Sequence, residues 1–220
     1  MKIDSRAVLF DLDGTLADTA PDLALAANLL RAEHDLPELP LATLRPHTSS
    51  GARGLLRVAF GLSPTDADYP SYVERFLVHY ADNLCVNTRL FDGMAPLLEA
   101  LEAAAIPWGI VTNKQARYTL PLVAALKLDQ RACCIVSGDT TARAKPAPDP
   151  LLFACRTAGL EPAQTVYVGD DLRDIVAGRA AGMPTVATAW GYLGEEIPIE
   201  EWGADHIIDH PRELPALIGL

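Results

Sequence analysis

Positive charge is what this chain is short of: 18 lysines and arginines stand against 29 aspartates and glutamates, for a net charge of −11. A broad nucleic-acid footprint needs clustered cations, so no nucleic-acid partner is expected. A few placed cations or a metal can still hold an anionic substrate. Long apolar runs are missing too. None approaches the ~20 residues of a membrane-spanning helix. The N-terminal MKIDSRAVLFDLDG is too broken by charge for a secretory leader, so no membrane partner and a cytoplasmic location are expected. The four cysteines, Cys85, Cys133, Cys134 and Cys155, form no CxxC pair and have no histidine at ligand spacing. They read as reduced thiols packed in a core, not as a zinc site or a disulfide framework. There is no internal repeat and no low-complexity tract.

What is present is a globular composition, 50% hydrophobic and 21% charged, in 220 residues. That length suits one substantial core, or a core carrying a smaller partner. Short apolar runs at 7–10, 108–112, 134–137, 166–169, 185–187 and 206–208 read as strands, and their lack of alternation suits parallel strands covered on both faces. Helical patterns at 94–104, 118–126, 150–158 and 172–181 lie between them. This rhythm predicts an α/β fold, a doubly wound, Rossmann-like and mostly parallel sheet. One interval interrupts it: between Asp18 and Arg89 the patterns are helical only, at 21–34, 41–48, 52–60 and 71–83. The expected organisation is therefore an α/β core of residues 1–17 and 90–220 with a helical cap domain, 18–89, inserted after the first strand.

Binding crevices of open α/β sheets lie at the carboxyl ends of the strands. The residues found there are DLDGT (11–15), TNK (112–114), Lys145-Pro146 before its helix, and GDDLRD (169–174). Asp11 and Asp13, one residue apart on an extended strand, point the same way. Two carboxylates ~4 Å apart repel by about 4 kcal/mol at an effective dielectric near 20. If the strand before Asp170 lies beside the first one, Asp170, Asp171 and Asp174 join the same crevice. So many carboxylates without His or Cys imply a hard divalent cation, Mg²⁺. Asp171 and Asp174 also suit a helix start, as cap and capping-box partner.

These four motifs, in this order, resemble the signature motifs of the haloacid dehalogenase superfamily of phosphatases. The helical insertion resembles the cap of its phosphoglycolate phosphatase and β-phosphoglucomutase branch. The resemblance implies strand order 5-4-1-2-3. It also implies that Asp11 is the nucleophile, forming an aspartyl-phosphate, and that Asp13 is the general acid and base. It implies a metal site of Asp11, Asp170 and the Asp13 carbonyl, with Asp174 holding metal-bound water or Lys145. Thr112 and Lys145 would cradle the phosphoryl oxygens, completed by Asn113 and N–H groups near Gly14. Asp171 is left as either a second metal contact or a helix cap. A second aspartate at position 13 favours a phosphoryl ester over a halide, since only the former needs a proton on leaving.

The cap segment SSGARG (49–54) suggests how a substrate is chosen. Ser50 and Gly51 would present N–H groups at a helix start, and Arg53 would grip a carboxylate. A small, carboxylated phosphate ester is thus the expected partner of a monomer or homodimer. SSGARGL, LFDGM, VGDDLRDI and the tail WGY…WGAD…IDHP resemble N-acetylmuramic acid 6-phosphate phosphatases. The SGDT before KPAPDP resembles phosphoglycolate phosphatases. The first resemblance is ranked ahead of the second. A mutase, and a receiver-like phospho-acceptor without turnover, are the more distant readings.

Overall fold

The computed structural model describes residues 3, 5–194 and 197–220. The core elements are β1 (Ala7–Phe10), β2 (Ala17–Asp18), the helices α1 (Ala20–Glu33), α2 (Leu41–Leu44), α3 (Gly51–Phe60) and α4 (Tyr69–Asp82), then β3 (Arg89–Leu90), α5 (Met94–Ala103), β4 (Trp108–Val111), α6 (Ala116–Ala125), β5 (Ile135–Val136), α7 (Asp149–Ala158), β6 (Thr165–Gly169), α8 (Leu172–Ala180), β7 (Thr185–Thr188), β8 (His206–Ile208) and α9 (Leu214–Ile218). Six strands form one sheet in the order β5-β4-β1-β6-β7-β8. Every pairing in it is parallel. Counted over these six strands alone, the order 5-4-1-2-3 implied by the resemblance is found, with β8 added at the edge.

The apolar runs are buried on both faces, as their lack of alternation predicted. Val8 and Phe10 pack with Leu97, Leu101 and Leu122 on one face, while Leu9 packs with Leu151, Ala154 and Ala177 on the other. Because β1 sits between β4 and β6, with Phe10 opposite Val168, the chain segments after β1, β4 and β6 emerge together. That adjacency brings distant motifs into one crevice.

Between β2 and β3 the chain is helical. Leu23, Leu30, Leu44, Leu56, Phe76 and Tyr80 form an apolar cluster separate from those flanking the sheet, and Tyr118 of α6 joins it. The chain leaves and returns through β2 and β3, which pair antiparallel, Ala17 with Leu90 and Asp18 with Arg89. The return is clamped by Asp22 in the first turn of α1. Its buried carboxylate accepts from the N–H of Asn87, and from the N–H and hydroxyl of Thr88, at 2.7–3.0 Å.

Two differences from the sequence expectation have local causes. The pattern at 41–48 predicts one helix, but α2 ends at Leu44 and residues Arg45–Ser50 form a 3-10 turn. Pro46 has no N–H to continue an α-helical ladder. The two-residue strands β2 and β3 are too short to carry any period.

Candidate active site

Asp11 follows β1 directly and is 9% exposed, at the floor of a cavity of about 330 Å³. A carboxylate oxygen from each of Asp11, Asp170 and Asp174 lies within 4.8 Å of the others. Lys145 projects into this group from the loop before α7. Its Nζ is 3.0 Å from Asp11 Oδ1 and 2.7 Å from Asp174 Oδ1, and it also donates to the Tyr167 hydroxyl at 2.8 Å and the Val111 carbonyl at 3.0 Å. The ammonium is fully buried; burial works against its charge, but Asp11 and Asp174 outweigh that and hold its pKa above the usual lysine value.

One lysine does not neutralise three buried acids. Burial, then the charges of Asp11 and Asp174, push the Asp170 carboxyl well above the usual range. Burial likewise raises Asp174 to about 7 despite Lys145. Among the described residues Asp11 Oδ1 accepts no hydrogen bond, its contact with Lys145 being misdirected for one. Excess buried negative charge, an orphaned carboxylate oxygen and an all-oxygen donor set fit a hard divalent cation.

Asp170 is held from both sides. Thr15 Oγ1 donates to its Oδ1 and the Tyr192 N–H to its Oδ2, each at 2.7 Å. Gly14 and Gly191 are glycines for this reason. A Cβ on Gly14, whose φ is +84°, would stand 2.0 Å from Asp170 Oδ2, and one on Gly191 would stand 2.2 Å from Asp170 Cβ. The Gly14 N–H donates to the Ala17 carbonyl at 3.0 Å. Gly14 therefore makes room for Asp170, and its own N–H is engaged within the loop; the N–H groups near it remain the expected phosphate contacts.

Asp13 turns toward the helical insertion. Thr19 Oγ1 and Lys114 Nζ both donate to its Oδ1 at 2.6 Å. Burial opposes the charge on Lys114, but Asp13 outweighs it and raises the ammonium pKa. Thr112, just past β4, is 2% exposed on the cavity wall. Asn113 also lines the cavity. Its amide donates to the Lys145 carbonyl at 2.9 Å and accepts from the Lys145 N–H at 3.0 Å, so the side chain fixes the Lys145 loop.

Asp171 and Asp174 start α8 as a capping box. Asp171 Oδ1 accepts from the Arg173 N–H at 2.8 Å, and its Oδ2 pairs with Arg173 Nη2 at 2.7 Å. Of the two roles left open for Asp171, the cap is the one its geometry serves, and the Arg173 guanidinium outweighs burial to hold its carboxyl below the usual range.

The helical insertion supplies the facing wall. Ser50 and Gly51 line the cavity, but Arg53 does not, and it is exposed. One residue beyond Ala52, the last lining position of α3's first turn, its side chain is turned about 100° further round the helix. Arg173, absent from the sequence-derived site, is on the cavity wall instead, and its Nη2 donates to the Ser49 carbonyl at 2.7 Å. Lys114 and Tyr192 were equally without an assigned role. Lys114 stood in the TNK motif, and Tyr192 in the WGY of the tail.

The fold and this strand-end constellation define a class. The chain belongs to the haloacid dehalogenase-like hydrolases, whose family model matches residues 8–188, and it is a phosphomonoester hydrolase of that family. It is 44% identical over 209 residues to an N-acetylmuramic acid 6-phosphate phosphatase of Pseudomonas aeruginosa, covering 95% of this chain and 92% of that one. It is 46% identical over 210 residues to a phosphoglycolate phosphatase of Xanthomonas campestris pv. campestris, covering 95% and 94%. The crystal structure of a predicted phosphoglycolate phosphatase from Haemophilus somnus superposes with a TM-score of 0.83 at 30% identity, covering 97% of each chain. Among the described residues no helix is long and apolar enough to cross a membrane.

Proposed function

We propose that the chain hydrolyses a carboxylated sugar phosphate, N-acetylmuramic acid 6-phosphate, through an aspartyl-phosphate on Asp11, with Mg²⁺ as cofactor. In this reading residues 18–89 act as a cap that closes the cavity, over a core of 1–17 and 90–220. An Asp11 carboxylate oxygen attacks phosphorus, the ester P–O bond breaks, and Asp13 gives its proton to the departing alkoxide. Asp13 then takes a proton from the water that attacks the phospho-enzyme, which releases phosphate and restores the Asp11 carboxylate. Both hydrogen bonds to Asp13 fall on Oδ1, which leaves Oδ2 as the oxygen that exchanges the proton.

Thr112 meets the transferring phosphoryl group from the cavity wall. Lys145, held by Asp174, Tyr167 and the Asn113-braced loop, keeps Asp11 oriented and supplies the fixed positive charge. Mg²⁺, held by Asp11, Asp170 and the Asp13 carbonyl with Asp174 behind, would neutralise charge on the phosphoryl oxygens. Ser50 and Gly51 contact the rest of the substrate, and Arg173 takes the carboxylate-facing role first expected of Arg53.

The observation that carries the choice of substrate is the wall opposite Asp11. Leu23, Phe76, Leu77, Tyr80 and Tyr118 line a cavity of about 330 Å³. A sugar ring with acetyl and lactyl methyl groups uses that apolar surface, whereas the two-carbon 2-phosphoglycolate leaves it in contact with water. The test compares kcat/KM for the two esters in Mg²⁺ and after chelation. A preference for the muramate ester, lost with the metal and regained on its return, is expected. A preference for 2-phosphoglycolate overturns the substrate assignment.

A further inference from the structure

Tyr192 lies outside all four motifs, on the loop after β7, yet each of its polar groups is bonded to a different part of the molecule. Its N–H donates to Asp170 Oδ2 at 2.7 Å and its carbonyl accepts from Ser49 Oγ at 2.9 Å. Its hydroxyl donates to Asp18 Oδ1 at 2.7 Å and accepts from the Ala20 N–H at 2.9 Å. Asp170 belongs to the acid cluster, Ser49 to the cavity-facing turn of the insertion, Asp18 to β2, and Ala20 opens α1. The residue is 2% exposed, so little water competes for these bonds. Arg45 closes the arrangement: two 2.8 Å bonds join it to Asp18, and its guanidinium lies 5.7 Å from the centre of the Tyr192 ring.

We propose that Tyr192 is a positioning residue for the hydrolytic reaction, its hydroxyl locking the β2–α1 junction so that the Ser49–Gly51 turn stands at a fixed height above Asp11. The inference rests on the reading of residues 18–89 as a cap. Swinging the helices about the β2–β3 ribbon moves Ala20 away from Asp18, which stays in the ribbon, and Tyr192 is bonded to both. Opening therefore breaks a buried hydrogen bond at the junction and a second one at Ser49. The bond to Asp170 comes from the backbone, so removing the hydroxyl uncouples the junction without changing what holds the acid.

Tyr192→Phe is the test, with Ser49→Ala beside it. In Tyr192→Phe, amide exchange over residues 18–23 should accelerate about tenfold, the worth of one buried hydrogen bond, with β1 and β6 unchanged. KM should rise about tenfold while kcat stays within roughly twofold. Ser49→Ala removes the second of the two bonds that opening breaks, so it too should raise KM and speed exchange over 18–23. KM is measured for both N-acetylmuramic acid 6-phosphate and 2-phosphoglycolate, and p-nitrophenyl phosphate reports the chemistry alone. Unchanged exchange over 18–23 overturns the proposal. So does a fall in kcat for every ester in parallel with a lowered Tm, the mark of a merely structural role. An error in the substrate assignment shows in the wild-type protein, whereas an error about Tyr192 shows only in the difference between variant and wild type.

Discussion

The two walls of the cavity are built by opposite means. On the sheet side, Asp11, Asp13, Asp170, Asp174 and Lys145 are each fixed by charged or hydrogen-bonded neighbours, most of them at 2.6–3.0 Å. On the insertion side, the surface is a 3-10 turn and a set of apolar and aromatic side chains. Charge that must be aimed needs a rigid, saturated frame. A surface that recognises shape can be assembled from packing, which tolerates replacement far better. In the function proposed, the chemistry and the selectivity of this hydrolase therefore rest on different kinds of interaction.

The largest effect is expected where the contrast is sharpest. Asp11→Asn should lower kcat by ~10⁴-fold or more for every ester, because the proposed nucleophile is lost whichever substrate fills the other wall. Phosphate release under saturating Mg²⁺ measures it, and retained turnover would break the distinction between the walls. Lys145→Met should come next. It leaves Asp11 and Asp174 buried without their cation, at a cost of about 3–5 kcal/mol in urea unfolding along with most of the activity. A variant as stable as the wild type would mean that the acids share their charge in some other way.

Leu77→Ala trims the opposite wall. KM for the sugar phosphate should rise roughly tenfold, with kcat and the constants for 2-phosphoglycolate little moved. Equal changes for both esters would show that the apolar wall does not discriminate between them. The smallest effect is expected of Arg53→Ala, which should leave kcat and KM within about twofold, as for an exposed residue away from any special feature. A tenfold rise in KM would return Arg53 to the site.

The same division governs what the sequence could disclose. Asp11, Thr112, Lys145 and Asp170 were legible because each follows or precedes a recognisable element, and the parallel sheet forces those ends together. The order of the strands came with the family resemblance. The partners of these residues were hidden. Thr15 and Asp170 meet across 155 positions, and Lys114 and Asp13 across 101, distances at which no local pattern speaks. Gly14 was marked only by its place in DLDGT, and its service to Asp170 depends on β6 lying beside β1. Arg53 misled because its charge suited the role and its position on α3 did not. Pro46, by contrast, was a local signal for the end of α2.

The ribbon of β2 and β3 has a further consequence. Because Ala17 faces Leu90, the points at which the chain departs and re-enters are hydrogen-bonded neighbours. Whatever is strung between them, long or short, leaves the register of β1 against β4 and β6 unaltered. The stretch between them is thus interchangeable in principle, as insertions are at sites where chain ends lie close together. If that stretch chooses the substrate, as proposed, a lineage could rewrite the choice there, under selection of its own, while the strand-end residues stay in place.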